Sequence, residues 1–289
     1  MKSQFVQNKP LSEVSTLGIG GPAKYYIEVK TIPQMQDTLA YAAQEGLKTF
    51  ILGKGSNCLF DSQGIDRLCI HNKIDFCEEP EPGHFYVGAG YSFSLLGVQT
   101  ARKGYSGLEF ASGIPASCGG AVFMNAGAQG MQTWSSLEYV DYVDPSGVLQ
   151  RFSKNELTFG YRTSSFQNMP GAIVGAYFIL TPFEQARAKQ LELLDARIHT
   201  QPYSDKSAGC IFKNPPNAAA GNLIDKCGLK GFQVGGAKVS EVHANFLVNA
   251  KNATSSDFRA LIAHIQQVVK EETGHDLHQE VYWISDEAL

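Results

Sequence analysis

The sequence predicts an α+β fold rich in short strands and glycine loops, and three features lead to it. Residues 25–57 run strand, helix, strand and then directly into a glycine loop. Residues 107–130 form a second glycine-dense run. Two long amphipathic helical stretches follow only late, at about 184–199 and 257–272.

The run GLEFASGIPASCGGAVFMNAGAQG (107–130) holds six glycines, no Lys or Arg and one acidic residue in 24 positions. Glycine lets the backbone take φ > 0 and approach another group closely. Ile114, Ala116, Ala121, Val122, Phe123 and Met124 would keep the run buried, so it is neither an ordinary helix nor a surface linker. A buried loop must place its N–H groups on something. An anionic cofactor would serve, and so would a tight glycine turn inside a β-rich core.

Taken in order, STLGIGGPA (15–23) leads into an alternating strand at 25–29. Thr31 and Gln34 form a capping box for a helix that turns Met35, Leu39 and Ala42/Ala43 inward and stops near Gly46. A short buried strand at 49–52 feeds Gly53-Lys54-Gly55-Ser56-Asn57. This loop lacks the Walker A spacing, and no GxGxxG occurs there or at Gly88-Ala89-Gly90. A backbone nest for phosphate and a simple β-turn both remain open.

Short strands are expected at 68–71 and 85–88, then a helix capped by Ser92 or Ser94 and running to Lys103, with Gly104 behind it. Segments 137–143 and 148–152 flank Asp144-Pro145-Ser146-Gly147 as a hairpin. A strand at 172–180 ends at Pro182. The helix over 184–199 places Leu191, Leu194 and Ile198 on one side, and Gln201-Pro202 ends it at a domain junction. The helix over 257–272 turns Phe258, Leu261, Ile262, Ile265 and Val268/Val269 to a core. A strand at 280–284 closes the chain.

Composition narrows the classes. The 289 residues suit two or three compact domains, with 43% hydrophobic and 18% charged residues and a net charge of −4. Nothing pulls the chain globally toward nucleic acid or membrane. With no apolar signal core and no run of membrane-spanning length, a cytoplasmic protein is expected. The cysteines at 58, 69, 77, 118, 210 and 227 never form C-x-x-C and read as free thiols. His275 and His278 form an H-x-x-H pair without a third ligand at sensible spacing and read as solvated, so no metal is expected.

Seven segments together resemble one family: TLGIGGPA (16–23), LGKGSN (52–57), the run 107–130, FGYRTSSF (159–166), SAGCIFKNP (207–215), GGAKVSEVHANFLVN (235–249) and HQEVYWI (278–284). The family is UDP-N-acetylenolpyruvoylglucosamine reductase, which completes UDP-N-acetylmuramate in peptidoglycan synthesis. The segments keep the family's order over nearly the whole chain, and the short C-terminal part resembles the shorter of its two subclasses. The resemblance implies a flavin-binding domain of the vanillyl-alcohol-oxidase (PCMH) type over 1–182, with subdomains of about 1–75 and 76–182. A C-terminal α+β substrate-binding domain over 183–289 would follow, its last strand returning Glu280 to the active site.

On that template non-covalent FAD is held by Gly53, Lys54, Gly55, Ser56 and Asn57 in the first loop. Gly113, Ile114, Pro115, Ala116, Ser117, Gly119, Gly120, Asn125 and Gly127 hold it in the second. The first loop has no histidine for a covalent flavin link. NADPH is the implied hydride donor and UDP-N-acetylenolpyruvoylglucosamine the implied substrate, handled by a monomer. Arg162 matches the family's catalytic arginine, a permanent cation able to fork onto a carboxylate. Glu280 matches the catalytic glutamate, whose role suits a carboxyl that burial keeps protonated. Cys210 stands where the family usually has a serine as proton donor, and a thiol is a far stronger acid than an alcohol. Lys213 and Asn214 match diphosphate contacts, Tyr161 the same pocket, and Gln201 and His243 further ligand contacts. An oxygen-using flavin oxidase of the shared fold, or a non-catalytic flavin- or sugar-nucleotide-binding protein, are the alternatives.

Overall fold

The computed structural model describes residues 2–287. Contacts divide the chain into two units. The first gathers the chain up to Gln7, Tyr25–Lys54 and Arg67–Arg197. The second gathers Asn8–Lys24, Gly55–Asp66 and the chain from Ile198 onward.

In the first unit, helix α1 (Ile32–Gln44) follows the strand Pro22–Val29. The Thr31 hydroxyl accepts from Gln34 N, but the Gln34 side chain reaches back to Lys30 N, one residue earlier than a capping box requires. Met35, Leu39 and Ala42 are buried, whereas Ala43 is exposed. Position 42 lies almost in line with 35, and 43 sits about 100° further round a helix of 3.6 residues per turn. The strand Thr49–Leu52 pairs in parallel with Ile65–Asn72, in the four-stranded order Val6–Pro10, Pro22–Val29, Ile65–Asn72, Thr49–Leu52.

A five-stranded antiparallel sheet runs Leu149–Ser153, Leu137–Val143, Ala172–Ile179, His84–Gly88, Cys77–Glu81. The hairpin read at Asp144–Gly147 forms its first pair, with Gly147 at φ 86°. Helices α2 (Phe93–Arg102) and α3 (Cys118–Phe123) join this sheet in one core around Phe85, Val87, Phe93, Val122 and Phe178. The six-residue α3 sits inside the glycine run, where the sequence suggested no helix. Ser117 makes it possible by capping Gly120 N with its hydroxyl. After the long strand, Thr181–Pro182 still pairs with Tyr105–Ser106, so Pro182 ends a strand without ending the pairing.

Helix α4 (Ala186–Thr200) differs from expectation. Ala186 and Gln190 are buried and Leu193 packs on the core, while Leu191 and Ile198 stay 47% and 51% exposed. The buried line is 186, 190, 193, so the helix is rolled away from the stripe that hydrophobicity picked out.

The second unit carries a four-stranded antiparallel sheet, Ser207–Cys210, Phe246–Asn249, Ala237–Val239, Gln233–Val234. Against it lie α5 (Ala220–Lys226) and α6 (Ser255–Thr273). Thr254 and Asp257 close a reciprocal capping box on α6, and Gly274 at φ 74° ends it. Phe258, Leu261, Ile262, Ile265 and Val269 are buried as the periodicity required, with Val268 at the edge of the same core. The terminal strand is shorter than expected: Tyr282–Ile284 pairs in parallel with Cys58–Phe60, and Glu280 precedes it. No helix among the described residues is long and apolar enough to cross a membrane.

Ile265 is fully buried in this core. Ile265→Ala should lower unfolding free energy by about 2–5 kcal/mol through lost burial and a residual cavity, read as a lower urea midpoint at unchanged m-value.

Candidate active site

In the first unit two helix starts face each other. Ser92 caps α2 and Ser117 caps α3, and the two serines form an antiparallel bridge pair. The bonds flanking that pair are Phe93 N to Ala116 O and Cys118 N to Tyr91 O. The serines' own N–H and C=O groups therefore point away from each other, as in any non-hydrogen-bonded pair. Lys54 Nζ donates to Ser92 Oγ at 2.9 Å. Although Lys54 reaches the surface, partial burial and then the charge of Lys73 lower its pKa, so an anion beside it would relieve both.

Gly53 completes this corner. A Cβ there would lie 2.4 Å from Ser117 Oγ, and one on Gly119 would lie 2.8 Å from the Ala89 Cβ. Gly113 adopts φ 83° and donates to Ser94 Oγ. Cys118 N and Gly119 N are taken by Tyr91 O and Ala89 O, and Gly120 N by Ser117 Oγ. Lys54 and the side-chain-free Gly53, set beside the positive ends of two helix starts, suit a diphosphate, so the residues fit the group that a flavin dinucleotide would bring. Ile114, Ala116 and Gly127 are half-buried beside them, and Pro115 is exposed.

His71 supports the same corner. Its ring bonds the Gly53 backbone, and Nδ1 lies 2.7 Å from the Tyr26 hydroxyl. Burial, then the nearby Lys73, pushes the imidazole down to about 4.

Arg162 occupies a two-residue hairpin loop between Phe159–Gly160 and Thr163–Ser164. It sits at φ 57°, a region non-glycine residues rarely enter. Its Nη1 donates to Gly127 O at 3.2 Å, and its guanidinium carbon lies 5.2 Å from the centre of the half-exposed Tyr161 ring. Asn125, buried and at φ 42°, gives its amide to Gly160 O and Gln132 Oε1 and accepts from Trp134 N.

In the second unit, Gly55 packs so tightly that a Cβ would lie 2.3 Å from Val14 O, and Ser56 follows half-buried. Asn57 Nδ2 donates to Glu280 O, and Asn57 O accepts from Tyr282 N. Residues 278–280 zip against 211–213 through Lys213 N to His278 O and Glu280 N to Ile211 O, centred on the bridge Phe212 to Gln279. Cys210 is thus one residue from the partner of Glu280, and both are half-buried. Before it, Gly209 at φ 74° marks a register shift in the strand, a bulge of the kind that re-aims a side chain. No atom lies within 4 Å of where a Gly209 Cβ would stand.

Asn214 Oδ1 accepts from Ala220 N at the start of α5, which orients its carboxamide. His243 lies at the same helix start, its Cε1 3.0 Å from where a Cβ on Gly221 would be. Burial, with Lys230, lowers the His243 pKa. Gln201 follows α4 and accepts from Tyr203 N through its backbone. All six cysteines are free thiols, and His275 Nδ1 lies 3.0 Å from Thr273 O.

Residues 201–284 match the UDP-N-acetylenolpyruvoylglucosamine reductase C-terminal domain, and residues 23–153 match the FAD binding domain. A UDP-N-acetylenolpyruvoylglucosamine reductase of Protochlamydia amoebophila is 55% identical over 282 residues, covering 98% of this chain and 94% of the relative. The Chlamydia trachomatis serovar A protein of that name is 46% identical over 95% of this chain and 94% of its own. The chain belongs to this reductase family. A crystal structure of the Thermus caldophilus UDP-N-acetylenolpyruvylglucosamine reductase superposes with a TM-score of 0.83 at 35% identity, over 96% of this chain and 98% of that one. The fold is therefore the family's, an FAD-binding domain followed by the reductase C-terminal domain.

Three supporting side chains were not singled out from the sequence. Asn245 is buried and pairs with both backbone groups of Phe212, at 2.9 and 2.8 Å, in place of a neighbouring strand. Gln167 donates to Arg162 O, and His71 bonds Gly53. Asn245 lies inside the family-like segment 235–249 and Gln167 just after 159–166, but their bonds to Phe212 and Phe123 reach residues far away in sequence.

Because the folded state holds His71 neutral, the unfolded chain binds more protons between pH 6.5 and about 4. Stability should therefore fall as pH drops through that window. A His71→Gln variant should show a shallower loss when urea midpoints are measured between pH 7 and 4.

Proposed function

We propose that this reductase converts UDP-N-acetylenolpyruvoylglucosamine to UDP-N-acetylmuramate at the expense of NADPH, as a cytoplasmic monomer serving peptidoglycan synthesis. The observation that carries the reading is the corner at Gly53, where two capped helix starts and Lys54 meet without room for a side chain. Family membership supplies the substrate, since the relatives bear its name. When bound, FAD supplies hydride transfer from N5 after taking a hydride from NADPH.

The chain's own residues handle the rest. Reducing an enol ether that bears a carboxylate adds hydride at C3 and leaves negative charge spread over C2 and the carboxylate. Arg162, charged at any working pH, takes that charge as a fork on the carboxylate. Glu280 acts on the same carboxylate as a protonated or hydrogen-bonded partner. Cys210 then gives its S–H proton to C2, and the thiolate regains a proton from water. Lys213 and Asn214 hold the substrate diphosphate, with Tyr161, Gln201 and His243 as further contacts.

Anaerobic NADPH should bleach the flavin band of the purified protein, and the sugar nucleotide should restore it. Arg162→Lys should slow the restoring step by roughly 10²–10³-fold, and Cys210→Ala by roughly 10²–10⁴-fold. Both should leave bleaching near the wild-type rate. Absence of any flavin band after added FAD, or bleaching that the sugar nucleotide never reverses, would sink the reading.

A further inference from the structure

The hairpin carrying Arg162 hangs from one short piece of the glycine run. Gly160 O accepts from Asn125 Nδ2 at 2.9 Å. Arg162 O accepts from Gln167 Nε2 at 3.0 Å, and the same nitrogen donates to Phe123 O at 3.1 Å. Ser164 Oγ also donates to Phe123 O, at 2.7 Å. The Arg162 guanidinium itself reaches Gly127 O. These bonds lead, directly or through Gln167, to the stretch from Phe123 to Gly127, just where α3 ends and leaves carbonyls without helical partners.

The loop needs this restraint. With two residues and φ 57° at Arg162, it resembles a turn whose second central position favours Gly or Asn. An arginine there is strained unless its surroundings hold it. The carbonyls on either side of Tyr161, those of Gly160 and Arg162, are each fixed by a carboxamide.

We propose that Asn125 and Gln167 are positioning residues for Arg162, two carboxamides that clamp its hairpin and so set where the guanidinium points. The proposal rests on the role given to Arg162 above. It requires that loss of the Gln167 amide act through Arg162 and leave the rest of the flavin chemistry alone.

The test uses the full-length, FAD-loaded enzyme and three single variants. Gln167→Leu removes the donor at a half-buried position. Asn125→Asp keeps the shape and the bond from Trp134 N but sets a carboxylate against Gly160 O. Arg162→Lys removes the fork. Bleaching by NADPH and recolouring by the sugar nucleotide are timed separately, and thermal midpoints are recorded.

Gln167→Leu should slow recolouring about ten- to a hundredfold, as small misplacements of catalytic groups do, with bleaching within about twofold of wild type; Asn125→Asp, at a position that also stands in the expected FAD loop, should slow recolouring at least as much. In an Arg162→Lys background, Gln167→Leu should add nothing further, because coupled residues are not additive. A Gln167→Leu effect that multiplies with Arg162→Lys, or that slows both steps alike, would overturn the clamp. Should Asn125→Asp fail to fold, Gln167→Leu decides alone. If Arg162→Lys leaves recolouring unchanged, the role of Arg162 fails and takes the clamp with it. If Arg162→Lys is slow and Gln167→Leu is not, only the clamp fails.

Discussion

A buried glycine-rich loop has to satisfy its own backbone, and the first unit is built around how the run 107–130 does so. Its amides are mostly engaged within the protein: Gly113 N on a serine hydroxyl, Cys118 N and Gly119 N on carbonyls of residues 91 and 89, Ala126 N on Ala121 O. Those bonds draw the run against the chain leaving the strand His84–Gly88 and set Ser117 facing Ser92. What is presented outward is then not a loose nest of amides but two helix starts. The first amides of α3 are already paired, so what each start offers is the positive end of its peptide dipoles. Charge reaches this corner through Lys54, and shape through the missing side chain of Gly53.

The same constraint explains the hairpin of Arg162. Helix α3 is only six residues long, so its carbonyl end comes soon after its start. Phe123 O collects Ser164 Oγ and Gln167 Nε2, and Asn125, just past the helix, turns its amide to Gly160 O. One short helix therefore carries an anion-favouring start and, about two turns later, the anchor for a cation. That spacing follows from helix length, which is how a glycine run without Lys or Arg can arrange the surroundings of both Lys54 and Arg162.

Much of this was legible from the chain alone, and the misses have physical causes. Alternation and a Asp-Pro-Ser-Gly turn placed the hairpin at 137–153, because local chemistry decides it. Helix α6 was legible from its core face at helical spacing, whereas the capping box of Thr254 and Asp257, which starts it at Ser255, was not read. Helix α4 was misjudged: its leucine stripe is real, but Ala186 and Gln190 make the contact, and hydrophobicity cannot foresee which face a neighbour will take. α3 was missed because two adjacent glycines outweigh a single serine cap in any propensity sum. Glu280 was placed inside a strand that begins two residues later, an ordinary limit for element ends. At the candidate site the charged and reactive residues stood out by motif. Asn245, Gln167 and His71 did not, since a carboxamide or imidazole acquires its meaning only from the backbone it meets.

The second unit solves a related problem by a different device. Cys210 ends a strand, and the chain beyond it must leave the sheet while still supporting Lys213 and Asn214. Gly209 bends the strand through a left-handed conformation, and Asn245 then stands in for the lost neighbour by bonding both backbone groups of Phe212. The freed edge at Ile211 and Lys213 is taken by residues 278–280, with Asn57 holding Glu280 O from the other side. The backbone of Ile211, Phe212 and Lys213 beyond the bulge is thereby paired, as burial demands. Main-chain bonds thus bring Cys210 to within one residue of the group that pairs with Glu280 N.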